Sequence, residues 1–395
     1  MSFPLGLRLR LGDLEEYDNT TILHELQRYE PITWFEEQGV WLVTSKRLFD
    51  ELQSAPERFT VDVPTNPQAI VLGHQMLVVD GEEHARHRSP FATPFRHSEV
   101  RRRFTTVVEG AVDRLLRQIE PAGHADLASA FANPFAVSLA SDILGLGFEH
   151  IDEVHDIYTD FATGMVGYRD PVALGRAAKA RARLDEFLRP RLRELRARPD
   201  GSLLAEALSA DGPSAHSDET VLANLRLILF GSIETVESMI LNTTWLLLQH
   251  PDQLAILLAD PGLWPAAVQE GLRLIPPVGY TDRWAVTDTE LGGVRVSEGD
   301  YVLGVIHAVN RDPTVFPHPD RYELTRANNR QNASFGKGTH MCLGVNLARL
   351  QGTIALRAIF ERLSLLRLDP DHLTQPTGFN FRRPPHLHVR WETQA

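Results

Sequence analysis

Apolar positions change their spacing along this chain, and the change predicts its elements. Short β-like runs such as Gly39-Val40-Trp41-Leu42-Val43-Thr44, with β-branched and aromatic residues between turn formers, predict a small sheet near the N-terminus. From about Arg101 the spacing turns helical, because Phe104, Val107, Val108, Ala111, Leu115 and Leu116 recur at three and four residues. Helices are expected to dominate up to about Arg273. Segment 171–198, rich in Ala, Arg, Leu and Glu, reads as a long surface helix ended at Arg198-Pro199-Asp200-Gly201. Segment 211–218 reads as a loop. Ser217 or Asp218 then caps a helix from about Glu219 to His250, stopped by Pro251. Its roughly thirty residues would span about 45 Å, and an apolar centre on most faces predicts that it crosses a core. Beyond Arg273 come Pro-rich turns, short strands and one more helix from about Gly344 to Leu366. The expected fold class is mainly α, with a large helical domain and a small β-rich N-terminal lobe. No repeat or linker divides the pattern, so 1–395 is expected to form a single domain.

Composition narrows the function. With 43% hydrophobic and 23% charged residues the chain is an ordinary globular one, not a disordered one. Its 52 acidic and 40 basic residues give a formal charge of -12, which argues against a nucleic-acid partner held by phosphate attraction. The charge-free stretch Ser238 to Pro251 is too short to span a bilayer, and Arg8, Arg10 and Asp13 interrupt any signal-peptide pattern. No membrane association is expected, and a cytoplasmic location is. The single cysteine, Cys342, excludes intramolecular disulfides and zinc sites that need two thiolates.

That cysteine lies in Phe335-Gly336-Lys337-Gly338-Thr339-His340-Met341-Cys342-Leu343-Gly344, directly before the last predicted helix. Two glycines allow a tight loop with positive φ, and the helix start stabilises an anion such as a thiolate. A sole thiolate in such a loop suits axial ligation of haem iron, because a flat macrocycle needs close backbone approach; Gly344 leaves room for the ring.

The segment resembles the haem-binding loop of the cytochromes P450, Phe-Gly-x-Gly-x-His/Arg-x-Cys-x-Gly, at every fixed position. Six such matches would arise by chance in a chain this long with odds on the order of 10⁻⁶. Further segments resemble the family in the order it requires. Glu270-Gly271-Leu272-Arg273 matches its Glu-x-x-Arg, and Phe316-Pro317-His318-Pro319-Asp320-Arg321-Tyr322 its meander, with Asn310-Arg311-Asp312-Pro313 between. By resemblance Glu270, Arg273 and Arg321 form a buried structural triad that fixes the cysteine loop. His84 and Arg88 match the C-helix His-x-x-x-Arg, on one helical face. Gly231-Ser232-Ile233-Glu234-Thr235, midway along the long helix, resembles the oxygen-activation motif, with Ser232 where the family usually has glycine. A bend is expected there.

The resemblance implies a bacterial-type cytochrome P450 fold and a monooxygenase carrying haem b, with Cys342 as the metal ligand. It implies Thr235 and Glu234 as the catalytic pair that brings protons to O2. The cofactor is expected to lie against His84, Arg88, Gly231, Arg283, Ser334, Phe335, Gly336, His340, Cys342 and Gly344, the cations among them facing its propionates. Val278, Phe379 and Leu229 are the expected substrate contacts, for a small apolar organic molecule of secondary metabolism. Gly167-Tyr168-Arg169-Asp170-Pro171 reads as the hinge of a lid. Electrons are expected from NAD(P)H through a separate ferredoxin reductase and ferredoxin, and Arg96, Arg101, Arg102, Arg103, Lys337 and Arg349 read either as a basic docking face for it or as ordinary solvated charge. The enzyme is expected to be a monomer. Oxidative cyclisation, coupling or dehydration is the alternative chemistry, and a haem-based sensor or binding module the alternative class. His386 and His388 share one strand face, but flanking prolines and the lack of a third ligand in the sequence argue against a metal there.

Overall fold

A computed structural model describes residues 5–146, 150–209 and 217–393. The loop expected over 211–218 lies mostly outside them. Among the described residues ten strands are present: β1 (Ile32–Phe35), β2 (Val40–Val43), β3 (Phe59–Thr60), β4 (His124–Asp126), β5 (Tyr280–Ala285), β6 (Thr289–Leu291), β7 (Val294–Val296), β8 (Tyr301–Val305), β9 (Ser364–Leu368) and β10 (His388–Glu392). Helices account for most of the remainder, as the 3.6-residue spacing predicts.

Contacts divide the chain into two compact units, one from Met1–Thr60, Val112–Ala132 and Thr235–Ala395, the other from Val61–Ala111 and Asn133–Glu234. Two of the boundaries fall inside the helices His97–Ile119 and Asp218–Gln249, where no change of composition marks them.

The first unit holds all the strands. Its main sheet runs β1-β2-β8-β5-β3, with β2 and β8 parallel and the other neighbours antiparallel. The expected N-terminal strands are therefore completed by strands from 280–305. Period-2 alternation explains why this sheet is covered on both faces. Val43 and Val302 pack with Leu48, Phe49 and Phe59, whereas Leu42 and Leu303 pack with Leu9, Leu14, Leu23 and Leu26. A second sheet, β4-β10-β9, joins residues 124–126 to the C-terminal strand. The last long helix ends at Arg362 rather than Leu366, because Ser364–Leu368 pairs with β10.

In the second unit, helices Ile151–Val166 and Pro171–Ala197 form an antiparallel hairpin. A Cβ on Gly164 would lie 2.7 Å from Ala177 Cβ, so only glycine permits the approach. The expected hinge is a capped turn: Gly167 donates to the Thr163 carbonyl, and Asp170 accepts from Val172 N at 3.0 Å. The long helix is Asp218–Gln249, capped by Ser217, whose hydroxyl accepts from Thr220 N. Its 32 residues span about 48 Å. It remains α-helical through 231–235, where a bend was expected.

His307, after β8, is buried between Asn19, whose Oδ1 lies 3.0 Å from its Nε2, and Arg382. Burial lowers its pKa well below the ordinary imidazole value, and the Arg382 and Arg311 charges act in the same direction. The unfolded chain takes up this proton near pH 6.5 while the folded chain does not, so stability falls as pH drops below about 6.5. Between about pH 7.5 and about pH 5.5 the urea midpoint is expected to fall further in the wild type than in His307→Gln. Equal falls would contradict a histidine held neutral.

Candidate functional site

The cysteine loop is built from its anchor outward. Helix Trp264–Leu274 lies against the long helix at Gly271, where an added Cβ would be 2.3 Å from Thr243 Oγ1. This fixes Glu270 and Arg273, both fully buried. Arg273 grips Glu270 through two bonds of 2.8 Å, from Nε to Oε2 and from Nη2 to Oε1. The third member is Arg326, whose Nε donates to Glu270 Oε1 at 2.9 Å. Arg321, expected in that place, is exposed and contributes only its carbonyl, which accepts from Arg273 at 2.9 Å and from Arg326 at 3.1 Å. The guanidinium of Arg326 also binds the carbonyls of Pro317 and His318, so the meander backbone solvates the buried cations.

From this network the chain reaches the thiol. Arg273 Nη1 donates to the Asn310 carbonyl at 3.0 Å, and the Asn310 side chain accepts from Ala333 N and donates to Ser334 Oγ. Ser334 Oγ donates to the Leu272 carbonyl at 2.7 Å. Ser334 is therefore an anchor of the loop; its hydroxyl is committed to backbone rather than presented to a cofactor. Cys342 N donates to the Phe335 carbonyl at 2.8 Å, closing the loop. Gly336 and Gly338 have φ of 68° and 72°, a region open to glycine at little cost. At Gly338 a Cβ would stand 2.8 Å from the Gln53 carbonyl, a second reason for glycine.

Cys342 is exposed, two residues before Gly344, the N-cap of helix Val345–Arg362. Arg349, one turn into that helix, stacks over the Phe335 ring at 5.2 Å and donates to Gln269. Burial lowers the guanidinium's pKa and Arg330 adds to this, while Cys342 opposes it, so cation and sulfur feel each other. A cation and a helix start beside one thiol both favour thiolate. Arg349 belongs to this loop rather than to an open docking face. Lys337 pairs with Asp50 at 2.9 Å, and Arg103 is held by Glu99 and Glu206, so these docking candidates also have internal partners.

Arg283, on β5, is buried and donates to Gln53 Oε1 at 2.6 Å. Gln53 thus ties the arginine to the segment that receives Gly338, a role with no signal in the sequence. Burial raises the pKa of the neighbouring Asp282 carboxyl, and the nearby Arg283 guanidinium opposes this.

In the second unit, helix Gly81–Ala92 puts His84 and Arg88 on one face, His84 buried and Arg88 half-buried. Glu234 Oε2 accepts from the Tyr158 hydroxyl at 2.6 Å, a contact the sequence did not point to. Ser232 Oγ donates to the Leu229 carbonyl at 3.1 Å, so its hydroxyl is used within its own turn. Gly231 borders open space, since a Cβ there would meet nothing within 4 Å.

Two of the expected substrate contacts are packing residues. Phe379 lies against Tyr280 at 5.1 Å in the core on one side of the main sheet, and Val278 packs into the core on the other. Leu229 is fully buried. A cavity of about 440 Å³ in the second unit is lined by charged groups including His74, Glu83, Arg181, Asp185 and Arg226, and by none of the expected substrate contacts.

The donor set fits an anionic iron macrocycle. An exposed thiol stands at a helix start, and at Gly344 an added Cβ would meet only Cys342 Sγ, at 3.9 Å. Buried or half-buried cations are present in each unit. A mainly helical fold with an exposed thiol at a helix start has the donor a haem-thiolate protein needs.

Residues 262–388 match the family described as Cytochrome P450. The chain is 33% identical over 368 residues to nocardicin C N-oxygenase of Nocardia uniformis subsp. tsuyamanensis, covering 90% of each protein. It is 34% identical over 372 residues to cytochrome P450 monooxygenase PikC of Streptomyces venezuelae, covering 90% of this chain and 86% of that one. The crystal structure of CalO2 matches with a TM-score of 0.87 at 28% identity, covering 96% of this chain and 97% of that one. The chain belongs to the cytochrome P450 family, and it is a monooxygenase of that family. Among the described residues no helix is long and apolar enough to cross a membrane.

Proposed function

We propose that this P450 inserts one oxygen atom of O2 into a C–H bond or double bond of a small, apolar organic molecule of secondary metabolism. Electrons come from NAD(P)H through a separate ferredoxin reductase and ferredoxin. The observation that carries the reading is an acid, Glu234, held by a buried phenol next to Thr235, in a chain whose single thiol stands at a helix start.

Haem b, when bound, supplies reductive activation of O2 at a thiolate-ligated iron. Cys342 Sγ would be the ligand, with the Arg349 guanidinium and the start of helix Val345–Arg362 beside it to favour the anion. In the first unit Arg283 and His340 would face the propionates and Gly344 would leave room for the flat ring; in the second, His84 and Arg88 share the helix face that the family resemblance assigns to the same role, and Gly231 borders open space. Thr235 Oγ1 and the Glu234 carboxyl move protons toward the reacting oxygen. Tyr158 is a positioning residue: its hydroxyl donates to Glu234 Oε2 and fixes the orientation of the carboxylate. Leu229 is proposed as the apolar wall on the substrate side.

Turnover under ¹⁸O2 with a ferredoxin and its reductase tests the reading. One labelled oxygen per product is expected; an oxidised product without label would replace insertion by coupling or dehydration. Reductant consumption indifferent to every organic candidate would favour a sensor. Tyr158→Phe is expected to lower product formed per O2 consumed several-fold, with the carbon monoxide difference spectrum unchanged. Unaltered coupling would remove Tyr158 from the relay.

A further inference from the structure

Two histidines share one face of the C-terminal strand, and the fold brings them the partner they lack in the sequence. His388 opens β10 and is paired in register with Asp126, which ends β4. His386 and His388, two residues apart on extended chain, point the same way. Asp126 Oδ2 lies 2.9 Å from His386 Nδ1, and one donor atom from each of Asp126, His386 and His388 lies within 4.8 Å of the others.

We propose that Asp126, His386 and His388 form a binding site for a divalent transition ion of the zinc class. Two imidazoles and a carboxylate suit Zn²⁺ and its neighbours rather than Mg²⁺ or Ca²⁺, which need more oxygen donors. Donors around a tetrahedral zinc stand roughly 3.3 Å apart, given bonds of about 2.0–2.1 Å. The Asp126 Oδ2–His386 Nδ1 pair is already within that distance, and the remaining separations are within 4.8 Å.

The carboxylate is held from behind. Asp126 Oδ1 accepts from Leu387 N at 2.8 Å and Ala128 N at 3.1 Å, and the Ser129 hydroxyl reaches Oδ2 at 3.1 Å. These bonds orient Oδ2 toward the histidines, as outer-shell contacts do in metal sites. The loop before β10 is held as well, because Thr374 Oγ1 donates to the His386 carbonyl. His372 stands beside them, its ring 5.0 Å from that of His388 and its Nδ1 3.4 Å from Asp369 Oδ2. A water or His372 completes the fourth position. Because Asp126 and His386 are 260 residues apart in sequence, a bound ion would clamp the C-terminal strand to residues 124–126. The site is independent of the haem loop and of the oxygen chemistry.

The test uses haem-loaded protein without a polyhistidine tag, stripped with chelator and dialysed against ZnCl2. One equivalent of zinc at micromolar free metal is expected by elemental analysis, with a rise in the thermal unfolding midpoint. His386→Ala removes an exposed ligand, and Asp126→Asn keeps the backbone bonds of the aspartate. Each is expected to weaken zinc binding at least about 100-fold and to abolish the midpoint rise, with the haem spectrum unchanged. Absence of zinc binding in the wild type, or undiminished binding in both variants, would overturn the proposal.

Discussion

Cys342→Ala is expected to abolish the red-shifted Soret band of the reduced carbon monoxide complex and to reduce monooxygenase turnover to background. The chain has no other cysteine, so no second thiolate can replace the ligand. The cations proposed to hold the propionates stay in place in the variant, and haem retained without the red-shifted band would be the most specific result. Arg349→Met grades the effect. It removes the cation from beside the sulfur while keeping an apolar stem over Phe335, so the band should persist and reduction should shift in potential. An unchanged band in Cys342→Ala would displace Cys342 as ligand, and the proposed function would fall with it.

The second large effect concerns Glu270 and Arg326. Glu270→Gln leaves Arg273 and Arg326 buried without their counter-charge, and Arg326→Ala leaves the carbonyls of Pro317 and His318 without a donor. Breaking a buried pair from one side costs about 3–5 kcal/mol, because the remaining charge is uncompensated. Arg321→Ala, an exposed change whose carbonyl is kept, should stay within about 0.5 kcal/mol. Urea unfolding of the three variants decides between the arginines; a large loss in Arg321→Ala beside a small one in Arg326→Ala would reverse the assignment. Haem content should follow the same order, since Arg273 holds Asn310, and Asn310 holds Ala333 and Ser334 at the start of the cysteine loop.

Much of this protein is legible where the signal is local. The glycine spacing around Cys342 requires positive φ at Gly336 and Gly338, and both adopt it. The i, i+4 spacing of His84 and Arg88 places them on one helix face whatever surrounds them. The apolar run after Ser217 becomes a 32-residue helix because its cap and its stopping proline are neighbours in sequence.

Other features depend on contacts between distant residues. Arg321 and Arg326 lie five apart in one irregular segment, and no periodicity tells which of them turns inward; the buried Glu270 selects Arg326. Ser334 reads as part of the haem loop, yet Leu272 claims its hydroxyl across 62 residues. Tyr158 and Gln53 carry no motif, and they gain roles only because helices bring them to Glu234 and Arg283. The pair His386 and His388 lacked a third donor until β4 placed Asp126 opposite it. The sequence alone determined the thiol loop, the helix periods and the acid–threonine pair, because each is encoded within one or two turns of chain. Only the tertiary structure decided which side chains neutralise, orient or join them, because burial and hydrogen-bond satisfaction are properties of the packed neighbourhood and not of the residue.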